Sequence, residues 1–201
     1  MATLLQLKTS IFGDAGYSSQ LANEFAAQWQ TQHPGGQVIV RDLAAEPLPH
    51  FSAEHIAAFS TPAEARTPEQ QALADLSDAL IAELKQADVL VIGLPMYNFG
   101  IPSTLKAYLD QISRAGLTFK YTEQGAEGLL ADKPTYVFAS RGGFYAGTAL
   151  DTETGYVRDF FSFLGIKTIE FVYAEGLNIT PDTKESALNA ARQRLTELAA
   201  A

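Results

Sequence analysis

The chain contains no cysteine, which excludes disulfide scaffolds, thiol catalysis, iron–sulfur clusters and zinc sites built on Cys. It is also poor in basic residues, because 14 Lys and Arg stand against 23 Asp and Glu, a formal net charge of −9. A surface of that sign repels nucleic-acid phosphates and anionic membranes. No apolar run approaches the ~20 residues that span a bilayer, and residues 1–8 lack the features of a signal peptide. We therefore expect a soluble, cytoplasmic protein with no nucleic-acid or membrane partner.

What is present is an ordinary globular composition, 47% hydrophobic and 18% charged, and a length that favours a single domain over residues 1–201. Apolar strand-like runs alternate with amphipathic helical patterns along the chain. The predicted strands are residues 3–7, 38–40, 89–92, 136–139 and 168–173. The predicted helices contain residues 21–29, 67–84, 102–113, 155–164 and 186–200. A loop with one short helix is predicted at 43–66 and a hairpin at 117–130.

The start of one helix is marked clearly. Thr67 is followed by Pro68 and, three residues on, by Gln70, which is the pattern of an N-terminal capping box with proline in the first turn. Strands that alternate with helices predict a parallel sheet covered on both faces. Right-handed crossovers leave chiefly the Rossmann-like and the flavodoxin-like topologies.

Ligands of open parallel sheets bind at the carboxyl ends of the strands, so the segments that follow the strands are the candidate site. After the first strand, residues 9–19 carry hydroxyls at Ser10, Tyr17 and Ser18 and lead into a helix. Neutral donors and free N–H groups at a helix start suit a phosphate. The alternative interpretation is that Ser18 is only the helix N-cap.

Two further segments follow the third and fourth strands. Met96, Tyr97, Asn98 and Phe99 form an aromatic loop between prolines, either a wall for a flat ring or additional core. Residues 140–143, Ser-Arg-Gly-Gly, either present backbone N–H groups to a ligand or form a plain turn. Together the three segments describe a site for a phosphate and a planar heteroaromatic ring, a specification that fits flavin mononucleotide (FMN).

Other chemistries find no support in the sequence. His33, His50 and His55 are predicted in loops or at element ends, away from the strand tips, so we expect no metal site and no catalytic triad. The metalloprotease motif HExxH and the nucleophile-elbow motif GxSxG do not occur. The acidic residues are mostly on predicted helices and are interpreted as a solvated face.

Residues 96–99 (Met-Tyr-Asn-Phe) and 140–143, together with 114–119 (Arg-Ala-Gly-Leu-Thr-Phe) and 163–166 (Phe-Leu-Gly-Ile), resemble the bacterial FMN-dependent NADH-azoreductases. The resemblance implies a three-layer flavodoxin-like α/β fold with a five-stranded parallel sheet in the order 2-1-3-4-5 and helices on both faces. It places the flavin contacts at Ser10, Gly16, Tyr17, Ser18, Met96, Tyr97, Asn98, Phe99, Ser140, Arg141, Gly142 and Gly143.

The resemblance also implies an activity: two-electron, ping-pong reduction of quinones and of azo compounds, the latter cleaved to aromatic amines, with NADH or NADPH as donor. One FMN per subunit performs the chemistry, so no catalytic side chain is expected. The implied assembly is a homodimer in which Tyr121 and Phe163 of one subunit complete the substrate pocket of the other. The pattern of the residues leaves two alternatives: a flavodoxin-like electron carrier without a substrate of its own, and a flavin-free regulatory protein.

Overall fold

The computed structural model describes residues 1–200, with seven strands and six α-helices among them. The strands are β1 (Thr3–Lys8), β2 (Gln37–Asp42), β3 (Val89–Pro95), β4 (Phe119–Thr122), β5 (Gly125–Gly128), β6 (Thr135–Ser140) and β7 (Ile169–Ala174). The helices are α1 (Tyr17–Gln32), α2 (Ala53–Ser60), α3 (Pro68–Gln86), α4 (Ser103–Ile112), α5 (Thr152–Leu164) and α6 (Pro181–Ala199). Among residues 1–200, no helix is both long enough and apolar enough to cross a bilayer.

Five strands form one parallel sheet in the order β2-β1-β3-β6-β7. The predicted order 2-1-3-4-5 is confirmed, because β4 and β5 form a separate antiparallel hairpin and the fourth and fifth parallel strands are therefore β6 and β7. The order reverses between β1 and β3, which creates a switch point at their carboxyl ends.

Hydrophobic clusters on the two faces of the sheet make the protein three layers deep. On one face Leu4 and Val91 pack against α1 and α6. On the other face Leu5, Leu7 and Ile92 pack against α3, α4 and α5. Every residue of β1 is buried, as expected for a parallel strand covered on both faces, although Thr3, Gln6 and Lys8 are polar.

Most element boundaries agree with the sequence, and the differences are at helix starts. The capping box at Thr67 is present, with Thr67 Oγ1 accepting from Gln70 N and Gln70 Oε1 accepting from Thr67 N. Helix α5 begins three residues before its predicted start, because the Asp151 carboxylate accepts the N–H of Thr154 and caps it. Helix α6 begins five residues early, because Thr180 caps it in the same way. Both cap residues are polar, so the apolar periodicity used to predict the helices does not mark where the helices begin.

The two ends of β6 each carry a buried cation. Lys133 lies just before the strand, and its Nζ donates to the carbonyl of Leu84 at 2.6 Å and to that of Ala87, where α3 ends. Burial lowers the pKa of Lys133. The second cation, Arg141, follows the other end of β6 and belongs to the site described below.

The predicted hairpin is confirmed as β4 and β5, and it is fixed to the body of the protein by two glycines in contact. A Cβ on Gly128 would lie 2.3 Å from the backbone N of Gly165, and one on Gly165 would lie 2.4 Å from the carbonyl oxygen of Leu130. Gly165 also ends α5 with a φ of +111°. Hairpin and helix end therefore approach more closely than residues with side chains allow.

This contact gives a stability prediction within one helix. Gly165→Ala is expected to lower the free energy of unfolding by about 1–3 kcal/mol, because the methyl group overpacks a backbone contact at positive φ. Gly155→Ala, at an open position inside α5, is the control and is expected to raise stability by up to about 1 kcal/mol. Urea unfolding measures both variants. A Gly165→Ala protein as stable as wild type would contradict the close contact.

Candidate functional site

A cleft lies at the carboxyl ends of β1, β3 and β6, at the switch point of the sheet. Its deeper cavity is lined by Ser10, Phe12, Ala15, Gly16, Tyr17, Pro95, Met96, Tyr97, Ser140, Arg141, Gly142, Leu177 and Asn178. An adjoining cavity shares Met96, Gly142 and Asn178 with it and adds Asn98, Phe99 and Tyr145. The structure thus brings the three predicted segments to one continuous cleft.

One end of the cleft is the N-terminus of α1. The N-cap is Gly16 rather than Ser18, and no side chain caps the helix. A Cβ on Gly16 would lie 2.1 Å from Ser10 Oγ, so only glycine lets the start of the helix approach this hydroxyl. Within residues 1–200, the N–H groups of Tyr17, Ser18 and Ser19 have no acceptor.

The hydroxyls of the same turn are also without partners. Ser18 and Ser19 are buried, and their Oγ atoms make no hydrogen bond within residues 1–200. Unpaired N–H groups, the positive end of the helix dipole and spare hydroxyl donors are the groups that an anion needs in the absence of a basic side chain. This combination suits a phosphate monoester.

The aromatic segment after β3 is a tight turn from Tyr97 to Gly100. These two residues exchange both backbone hydrogen bonds at 3.0 Å, while Asn98 and Phe99 have φ values of +52° and +63°. Two successive non-glycine residues in the left-handed region store strain, a feature that clusters at binding sites. The Thr152 hydroxyl donates to the Phe99 carbonyl and helps to hold the turn. The Phe99 ring is 51% exposed, so the segment is a wall of the cleft and not additional core.

The far wall is the segment after β6. The carbonyls of Gly142 and Gly143 accept from the N–H groups of Asn178 at 3.0 Å and Gly176 at 2.9 Å. Their own N–H groups have no acceptor within residues 1–200. A Cβ on Gly142 would lie 2.6 Å from the side-chain nitrogen Nδ2 of Asn178. The segment therefore carries two unpaired backbone N–H groups, and Gly142 is the one of the two glycines that lines the cleft.

Arg141 was predicted as a flavin contact, but its side chain is fully buried and only its backbone borders the cleft. Three carboxylates surround the guanidinium: Asp151 at 2.7 Å, Glu175 at 3.2 Å and Glu153 at 3.5 Å. The interpretation of the acidic residues as a solvated face is therefore wrong for Asp151 and Glu153, whose side chains are buried around the start of α5.

Asp151 and Glu153 differ in their protonation. Burial raises the pKa of Glu153 to about 8, and the attraction of Arg141 only partly offsets that burial. Burial also opposes ionisation of Asp151, but hydrogen bonds from Arg141 and Thr154 outweigh it and lower the pKa. One guanidinium thus faces an ionised Asp151 and a Glu153 that keeps its proton at neutral pH.

The histidines are not grouped. His33 ends α1, and His55 is buried at the start of α2, where its ring contacts Ser52 and Gln111. The prediction that His50 lies away from the strand ends is wrong, because His50 is beside the turn that follows β3. It lines an apolar cavity of about 510 Å³ with Phe99, Gly100, Ile101, Ser103, Lys106, Thr152 and Tyr156. Among residues 1–200, no group of three acidic or histidine side chains is placed to hold a metal ion.

Tyr121 and Phe163, predicted for the substrate pocket, lie outside the cleft of their own chain, and Ser18 and Gly143 border the cleft without lining either of its two cavities. Tyr121 is on β4 with its side chain 77% exposed, and Phe163 is half-buried on α5. Both rings contact Phe119, at centroid distances of 5.4 and 4.6 Å. They form one aromatic group at the base of the hairpin.

Sequence reasoning missed several lining residues. Asn178 and Leu177 follow β7, so the rule that strand ends make the site, applied to the last strand, would have found them. Tyr145 contacts the Phe99 ring at a centroid distance of 5.6 Å across the cleft, a pairing with no signal in the sequence.

A parallel sheet with this order and a cleft at this switch point defines the class of flavodoxin-like proteins. A profile of the family described as flavodoxin-like fold matches residues 2–199, so the chain belongs to this family. It is 56% identical over 201 residues, the whole of both chains, to an FMN-dependent NADH:quinone oxidoreductase of Cellvibrio japonicus (strain Ueda107).

Two further relatives agree. An enzyme of the same name from Alcanivorax borkumensis is 53% identical over 192 residues, covering 96% of this chain and 97% of the relative. The crystal structure of an FMN-dependent NADH-azoreductase from Bacillus anthracis in complex with FMN superposes with a TM-score of 0.90 at 27% identity. It covers 100% of this chain and 98% of that one. The resemblance inferred from residues 96–99 and 140–143 is confirmed.

The buried proton of Glu153 gives a pH prediction. Because its pKa is raised from 4.5 to about 8, its contribution to stability is complete at acidic pH and is lost as pH rises through 8. Glu153→Gln is neutral at every pH and does not lose that contribution. The free energy of unfolding of the variant relative to wild type should therefore rise from about pH 5 to about pH 9, measured by urea titration. A pH-independent difference would show that Glu153 is ionised in the folded protein.

Proposed function

We propose that this protein is an FMN-dependent NADH:quinone oxidoreductase that also reduces azo compounds to aromatic amines. The observation that carries the proposal is the cleft: an uncapped helix N-terminus at one end and paired backbone donors at the other, with an aromatic turn between them. The names of the relatives describe the same cofactor, donor and acceptor.

The residues present fit FMN. The N–H groups of Tyr17, Ser18 and Ser19, with the Ser10 and Ser18 hydroxyls, would hold the terminal phosphate. Met96 and the turn at Asn98 and Phe99 would lie against the ring system. A terminal phosphate monoester at the helix start favours FMN over FAD, whose phosphates are bridged to an adenosine.

When bound, FMN would supply two-electron transfer from a nicotinamide to the acceptor, once for a quinone and twice for an azo bond, whose cleavage to two amines takes four electrons. The protein would orient the bound FMN and tune its reactivity. The Asn98 amide and the N–H groups of Gly142 and Gly143 would donate to the polar edge of the ring and favour negative charge there. Phe99 and Tyr145 would exclude water from one side. Holding two flat rings at reacting distance is worth up to about 7–11 kcal/mol. Water would supply the protons that the reduced acceptor takes up, so no side-chain acid or base is required.

The electron-carrier alternative is not favoured. The cavity beside Phe99 gives a second planar molecule a place next to the site, which a carrier does not need. The relatives are named as quinone oxidoreductases. NADH as donor also makes the cytoplasm the expected compartment, in keeping with a chain that has no cysteine.

The substrate pocket is proposed to be shared between two subunits of a homodimer. Tyr121 extends from the hairpin and is mostly exposed to solvent. Its ring contacts Phe119, which in turn contacts Phe163. The apolar cavity beside Phe99 is open in one chain. Aromatic rings from a second copy would cover it, exclude water and stack on a planar substrate.

The cofactor proposal is tested by titration of the apoprotein with FMN. One equivalent per chain is expected, and FAD should bind far more weakly. Ser18→Ala should lose about 1.5–3 kcal/mol of FMN binding, roughly 10- to 100-fold, because a donor to a charged phosphate is removed. Ser186→Ala, an exposed serine on α6, is the matched control. Wild-type FMN affinity in Ser18→Ala would remove Ser18 from the phosphate site.

Activity is tested on the loaded protein. NADH should bleach the flavin absorbance and a quinone should restore it, with parallel double-reciprocal plots in the steady state. Bleaching by NADH without reoxidation by a quinone or azo compound would support the electron carrier instead.

The shared pocket predicts that Tyr121→Ala and Phe163→Leu raise KM for the quinone more than they lower FMN affinity, because they remove the lid and not the cofactor site. Light scattering should report a dimer for wild type. A fully active monomer would refute the shared pocket, as would variants with unchanged KM.

A further inference from the structure

The buried ion cluster around Arg141 joins three elements that end at the cleft. Arg141 follows β6 directly and precedes Gly142. Its guanidinium contacts Asp151 and Glu153 at the start of α5 and Glu175 in the turn after β7. It also lies over the ring of Tyr173 on β7, 5.0 Å from its centroid. No part of this side chain reaches the cleft, since it is 0% exposed.

The first connection from Arg141 to the cleft passes through Glu175. One carboxylate oxygen, Oε1, accepts from Arg141 Nη1 at 3.2 Å and from the backbone N–H groups of Tyr145 and Ala146, each at 2.8 Å. The loop that carries Gly142 and Gly143 is thereby fixed at both ends, by β6 on one side and by Glu175 on the other. Arg141 holds the carboxylate in place for that loop.

The second connection passes through α5. The Asp151 carboxylate accepts from Arg141 Nη2 at 2.7 Å and caps the helix through Thr154 N at 3.1 Å. The next residue, Thr152, donates its hydroxyl to the carbonyl of Phe99 in the strained turn. The two connections meet again where the Phe99 ring contacts Tyr145.

We propose that Arg141 is a positioning residue: its buried guanidinium fixes both walls of the cleft, the Gly142–Gly143 donors through Glu175 and the Asn98–Phe99 turn through Asp151 and Thr152. The planar fork of arginine serves several acceptors in fixed directions, which the single ammonium of lysine does not. The identity of the ligand rests on the proposed function, whereas the positioning of the loops does not.

The variants are Arg141→Lys, which keeps the charge but loses the fork, and Arg141→Met, which loses both. Lys133→Met is the matched control, because Lys133 is the buried cation at the opposite end of the same strand. All three are expected to be less stable than wild type. Only the Arg141 variants should weaken FMN binding, by about tenfold or more, shift the flavin reduction potential and lower kcat. Arg141→Lys should be intermediate.

A readout without cofactor is amide hydrogen exchange in the apoprotein. The Tyr145 and Ala146 amides should exchange faster in both Arg141 variants and at the wild-type rate in Lys133→Met. If Arg141→Met does not fold, Thr152→Val tests the second connection alone, since this hydroxyl is at the surface and its loss should still shift the reduction potential.

The outcomes separate the two proposals. A wild-type protein that binds no FMN overturns the proposed function, while the exchange experiment still decides on positioning. A wild type that binds FMN, together with Arg141 variants that keep wild-type affinity, potential and exchange rates, overturns the positioning role. Equal effects in Lys133→Met would also overturn it, because they would mean a general loss of stability.

Discussion

The carboxyl edge of this sheet depends on backbone N–H groups that have no acceptor among residues 1–200. At Tyr17, Ser18 and Ser19 they point from an uncapped helix, and at Gly142 and Gly143 from a loop whose carbonyls are already bonded. Groups of this kind are costly to bury and are normally paired. Their presence on both sides of one cleft indicates a ligand with an anionic end and a polar planar end.

The rest of the fold keeps these donors in place. Apolar layers on both faces make β1, β3 and β6 rigid, and Gly16 lets α1 begin directly against Ser10. The turn at Asn98 and Phe99 costs about 1–3 kcal/mol for each strained residue, so it needs support from outside. Thr152 and Tyr145 supply part of that support, and both are tied to the ion cluster of Arg141.

Local patterns in the sequence were enough for a parallel sheet and for three of the segments that line the cleft, because strand and helix periodicity is a property of neighbouring residues. The strand order followed from the family resemblance and not from those patterns. The buried acids were not predictable in this way. Glu153 has the sequence context of a solvated helix residue, and only tertiary packing places it beside Arg141. For the same reason Arg141, within a motif that follows a strand, was assigned to the ligand although its side chain points into the protein. Tyr145 and His50 reach the site from loops of no regular period.

The cleft of this chain is preformed for the proposed FMN, because its backbone donors are unpaired and held in place before a ligand binds. The most direct measurement is a pair of crystal structures, with and without FMN. The phosphate is predicted to accept from the N–H groups of Tyr17 to Ser19, and the ring edge from Gly142, Gly143 and Asn98, with backbone shifts below about 1 Å. A ring bound elsewhere, or loops 97–100 and 141–146 that rebuild on binding, would contradict the account.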